Sequence, residues 1–167
     1  MSNRVFDELL RGKGAHADPV ACVEDVSLEL AGKTIAGFPH SIWQLVSHMN
    51  FWMDYELKRI AGQAPPYPNH AALSWPSQAA PPAEKHWSDA IATFTALLRN
   101  LSTLAQSPPD VLAREVEPTH PAHTKMASSV QSVLWQILAH NSYHTGQIAL
   151  IRRTFGAWPP LAGGDTW

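Results

Sequence analysis

The sequence predicts an all-α protein, a four-helix bundle with long loop connections. Three observations carry that reading. Apolar residues recur at helical spacing in several runs, two of those runs open on a serine–glutamine capping signal, and strand-like alternation is nearly absent. The 167 residues fit a single domain spanning 1–167, long enough to bury its own core.

The first clear helix is expected over residues 18–32. Asp18 can cap free N–H groups, Pro19 suits the first helical position, and Val23, Val26 and Leu30 follow at helical spacing before Gly32. A shorter helical pattern over residues 4–11 precedes it. The second helix opens at Ser41, where Ser41 and Gln44 form a capping box. Its stripe runs through Ile42, Leu45, Met49, Trp52 or Met53, and Ile60, and Gly62 ends it. Residues 62–82 hold six prolines, which exclude a continuous helix. A connection this long is often functional, and this one could cover one end of the molecule as a lid.

The third helix covers residues 83–105. Trp87, Ile91, Phe94, Leu98, Leu101 and Ala105 form its amphipathic stripe, and Pro108-Pro109 lies beyond its end. A second irregular stretch follows over 108–126. The fourth helix starts near Ser128, where Ser128 and Gln131 repeat the capping spacing, and runs to Phe155 before Gly156. Short apolar segments such as 34–38 lack convincing strand partners.

Composition narrows the function classes. Charged residues make up 16% of the chain, against about 25% in a typical soluble domain. The formal net charge is −2 and there is no basic block, so nucleic acid is not an expected partner. No apolar run approaches the roughly 18 residues of a membrane span, and no signal-peptide core is visible, so no membrane partner is expected. The single cysteine, Cys22, lies among Val20, Ala21 and Val23 and reads as a buried, inert thiol. A lone cysteine fits a reducing compartment, and we read the chain as cytoplasmic and bacterial in character.

The fourth helix carries the chemistry. Its core seam runs Val130, Val133, Ile137, His140, His144, Ile148, Ile151 and Phe155. Two histidines thus stand where apolar residues belong. At i and i+4 their side chains lie above one another on one face and can reach one metal ion. His48 lies beside the stripe of the second helix and supplies a third candidate ligand. Three imidazoles would leave a coordination position open, as catalytic sites do.

The other histidines carry less. His16, His70 and His86 read as solvated, His40 precedes a helix cap, and His120 and His123 flank Pro121 on a loop that could approach the site. Gln44 and Tyr55 share the face of His48, Asn141 and Gln147 sit beside the H-x-x-x-H pair, and any of them could orient a ligand ring. Gly146 could admit a close neighbouring helix.

SIWQLVSH at 41–48 and LAHNSYHTGQIALIRR at 138–153 resemble the DinB-like superfamily, the DinB/YfiT-like metalloenzymes, over about residues 18–155. The resemblance implies a helical bundle with a three-histidine metal site, one histidine from the second helix and two from the last. By motif position these are His48, His140 and His144. Family members often carry arginine after the last histidine, where this chain has Thr145, and the proline-rich loop is long for the family.

The motif is HNSYH, without the glutamate of H-E-x-x-H, which removes the general base of a zinc protease. Relatives resemble thiol-dependent transferases or metal-dependent hydrolases. The expected function is therefore activation of a low-molecular-weight thiol or water, by a divalent ion such as zinc or nickel, for transfer or hydrolysis on a small substrate. The competing expectation is a non-catalytic metal- or ligand-binding bundle: a sensor, a stress-response protein or a vestigial site. The resemblance also allows a homodimer.

Overall fold

A computed structural model describes residues 3–120 and 129–163. Its helices are α1 (Asn3–Leu10), α2 (Ala21–Glu24), α3 (Leu28–Ala31), α4 (Ile42–Ile60), α5 (Glu84–Ala105), α6 (Pro109–Ala113) and α7 (Val130–Thr154). The bundle is made by α1, α4, α5 and α7. Helix α4 packs against both α5 and α7, and α1 closes the far side against the same two helices. No strand occurs among the described residues. Strand-like pairing is limited there to an isolated bridge between Glu115 and Ser129.

The expected helix over 18–32 is corrected. The chain forms only two single turns there, α2 and α3, separated at Asp25–Ser27. Asp18 caps the first as expected, its Oδ1 accepting from the Val20 N–H at 2.8 Å. Ser27 then takes an extended backbone (φ −67°, ψ 156°) and its hydroxyl accepts from the Leu30 N–H, so the helix restarts instead of continuing. The bundle position expected for this stretch is filled by α1. Phe6 and Leu10 are buried, and Phe6 meets Trp135 of α7 edge to face at 5.4 Å.

The other long helices follow their apolar stripes. The capping box at the start of α4 is formed: Ser41 Oγ accepts from the Gln44 N–H, and Gln44 Oε1 accepts from the Ser41 N–H. Ile42, Leu45, Met49 and Met53 are fully buried, and Gly62 (φ +79°) turns the chain away beyond the end. On α5, Trp87, Phe94, Leu98, Leu101 and Ala105 are buried, and the Trp87 indole donates to the Val26 carbonyl at 2.7 Å. Helix α7 is capped by Ser129, whose hydroxyl accepts from the Ser132 N–H. The cap expected at Ser128 lies outside the described residues. Cys22 is fully buried, and burial pushes its thiol up to about 12, which keeps it protonated and inert. No helix among the described residues is long and apolar enough to cross a membrane.

Candidate metal centre

Helices α4 and α7 face each other at the level of Met53 and Asn141, where the Asn141 amide meets the Met53 sulfur at 3.2 Å. Directly beside that contact the three histidines converge. His140 Nε2 lies 3.1 Å from His48 Nε2 and 3.2 Å from His144 Nε2. His48 and His144 are 7% and 6% exposed, and His140 is half-buried. Each ring offers one nitrogen, and the three nitrogens all lie within 4.8 Å of one another. No Cys, Asp or Glu joins this group among the described residues.

Two tests show that these rings suit a metal. The first is distance. Two nitrogens bound at about 2.0–2.1 Å in a tetrahedral shell stand about 3.3 Å apart, close to the 3.1 and 3.2 Å seen here. The second is proton accounting. His144 Nδ1 faces Gln147 Oε1 at 2.6 Å, an atom that can only accept, so the ring proton sits on Nδ1 and Nε2 presents a lone pair. His140 Nε2 carries at most one proton, yet it faces two neighbouring nitrogens. A cation among the three satisfies all of them at once.

The rings are also in the charge state that ligation needs. Burial pushes His48 down to about 3, and the charges that His140 and His144 would carry push the same way. Burial, then the neighbouring His144, brings His140 down to about 4. Burial lowers His144 as well, against the opposing hydrogen bond from Gln147. All three are neutral at pH 7.

This has a consequence for stability. Free histidine titrates near 6.5, so below that pH the unfolded chain binds protons that the folded chain refuses. The contribution of these rings to the stability of the metal-free protein is therefore expected to be level between about pH 7 and 8. As the pH drops from 6.5 toward 4 it should fall by up to ~1.4 kcal/mol per pH unit for His48 and for His140, with His144 acting in the same direction. Urea unfolding at pH 7.5, 6.0 and 5.0 measures this. The slope should shrink in His48→Phe, and an unchanged slope would count against buried neutral rings.

The proline-rich segment enters the site from the side. Ser74 and Trp75, which sequence periodicity did not single out, lie against His48. Ser74 Oγ is 2.9 Å from His48 Nδ1, and the Trp75 indole stacks on the His48 ring at 3.7 Å and 8°. His40 stacks on the same indole at 3.7 Å and 6°. The expected lid is thus a set of direct contacts to one of the three histidines. A tryptophan and a serine amid prolines carry no periodic signal.

Of the residues expected to orient the rings, Gln147 does so. Gln44 instead holds the loop, its Nε2 donating to the Pro76 carbonyl at 2.9 Å. Tyr55 hydrogen-bonds Thr119, and Asn141 meets Met53. His120 stacks on Tyr67 at 4.1 Å, and His123 lies outside the described residues. His70 caps the short 3-10 turn Ala71–Ser74 by accepting from the Ala72 N–H, and His86 is exposed. His16 differs from its expectation: it is half-buried and bonded to Ser142 Oγ at 2.9 Å and the Ala17 carbonyl at 2.8 Å. Gly146 also differs, being exposed with nothing near the space a Cβ would fill.

The family model of the DinB superfamily matches residues 14–148, a span that takes in all three histidines. Comparison with curated proteins and with solved structures finds no match.

Proposed function

The chain belongs to the DinB superfamily, and from that premise we propose that His48, His140 and His144 hold one divalent metal ion, zinc or nickel, in a site that activates a small thiol or a water molecule. The reaction class is transfer to, or hydrolysis of, a small electrophilic substrate. The observation that carries this reading is the convergence of three neutral imidazole nitrogens at 3.1 and 3.2 Å with no carboxylate or thiolate among them.

Bound there, the ion supplies Lewis acidity, lowering the pKa of a water toward ~7 or favouring a thiol's anionic form. The chain's own part is to hold three neutral donors and leave the remaining coordination free. Three neutral donors add no negative charge of their own, which would favour an anionic partner beside any divalent cation they hold. Gln147 fixes the tautomer of His144. Among the described residues no carboxylate joins the group to take a proton, which fits a thiol or water acidified by the ion itself better than a base-assisted protease mechanism.

Metal content of the purified protein, followed by a screen pairing low-molecular-weight thiols with electrophilic probes and activated esters, tests the reading. About one ion per chain is expected, with turnover that disappears when all three histidines are replaced. Metal without turnover across every thiol and ester would leave the non-catalytic metal-binding reading in its place.

A further inference from the structure

We propose that Ser74 and Trp75, on the proline-rich connection, are positioning residues that set the His48 ring for metal binding. This inference rests on the metal reading above and assigns the loop a part in it.

An imidazole ligand needs its direction, its plane and its tautomer fixed. The side chain of His48 leaves the first two open, because its ring rotates about a soft terminal bond. The loop fixes all three. Ser74, 4% exposed, faces Nδ1 with its hydroxyl at 2.9 Å. With the ring proton held at Nδ1, Nε2 presents its lone pair to His140 and His144. Trp75 fixes the plane by stacking at 3.7 Å. His40 stacks at the same separation and nearly parallel. Two rings that close to one indole cannot share a face, so Trp75 is clamped between His40 and His48.

The loop is itself pinned to the start of α4, one helix turn and more before His48. Ser41 Oγ donates to the Ala79 carbonyl, and Gln44 Nε2 donates to the Pro76 carbonyl. The residues that cap α4 therefore also hold the segment that orients its histidine. Gly32 completes the seat: a Cβ there would come within 2.8 Å of the Ala80 Cβ. An untethered surface excursion would need none of these contacts.

The test is metal affinity, read by competition with a chromophoric chelator, together with a spectroscopic signal from the loop. Loss of such a ring partner weakens metal binding by about 10–100-fold. S74A, which keeps the Trp75 stack, should fall near the lower figure, and S74A/W75A near the upper. S74T should recover most of the loss. Ni²⁺ should quench part of the tryptophan emission of the wild type at about one equivalent, and W75F should lose most of that quench while keeping its fold by circular dichroism. If the wild type binds metal and S74A/W75A binds it within threefold of wild type, the inference is overturned. If the wild type binds no Zn²⁺ or Ni²⁺, the metal reading itself fails and this inference falls with it.

Discussion

Replacing His140 with alanine is expected to weaken zinc binding by more than ~100-fold, since even loss of a ligand's hydrogen-bonded partner costs about 10–100-fold. His140 is the choice among the three because its Nε2 is the shared neighbour, 3.1 Å from His48 and 3.2 Å from His144. Removing it leaves two donors on different helices and opens half of the coordination shell to water. The metal-free variant should fold as well as the wild type, or better near pH 6. A ring that burial holds at about 4 contributes no stability at that pH and is penalised as the unfolded chain takes up protons. Affinity and stability thus move in different directions, which separates loss of a ligand from general damage. His86→Ala, an exposed histidine, is the control and should change neither. An affinity for zinc in His140→Ala within threefold of wild type would falsify the three-histidine site.

That His48, His140 and His144 converge is legible in the sequence because of periodicity. His140 and His144 occupy seam positions on a helix whose other seam residues are apolar, and both positions are set by a repeat only a few residues long. His48 is legible for the same reason. Ser74 and Trp75 are not, because a proline-rich loop has no repeat to place its residues, and their contact with His48 is decided by the tie of Gln44 to Pro76 across the fold. The break at Asp25–Ser27 was hidden in another way. The local pattern favoured a helix, with Val23, Val26 and Leu30 in register. What holds Asp25 outside it is a guanidinium on the last helix and an N–H near the end of the chain, neither visible in a local window. His16 reads as solvated in the sequence because its partner, Ser142, lies far along the chain on α7.

Arg152 should be the most costly polar side chain to remove, at about 3–5 kcal/mol for Arg152→Ala, the range for breaking a buried ion pair on one side. The residue is 2% exposed and all three of its nitrogens are engaged. Two of them grip both oxygens of Asp25, at 2.6 and 3.0 Å. One also donates to the Cys22 carbonyl at 2.9 Å, and Nε donates to the Ala157 carbonyl at 2.8 Å. Asp25 in turn accepts from the Leu161 N–H at 2.8 Å. One guanidinium therefore joins the end of α7 to α2 and to the segment that follows α7. Alanine would strand a carboxylate only 13% exposed and unpair several carbonyls.

A loss of this size is a large fraction of a typical domain's stability, so Arg152→Lys is the companion variant. Lysine keeps the charge but cannot span both carboxylate oxygens, and an intermediate loss is expected. Urea unfolding of Arg152→Lys, Asp25→Asn and the double variant measures the coupling, which should exceed ~1 kcal/mol. Additive losses would mean that the two side chains act separately. Arg152 follows His144 by just over two helical turns, and none of its partners belongs to the triad. The folded Arg152→Lys protein should therefore bind zinc as the wild type does, while His140→Ala keeps its stability and loses the metal. That crossed pair of outcomes would place metal ligation and scaffolding on separate residues of α7.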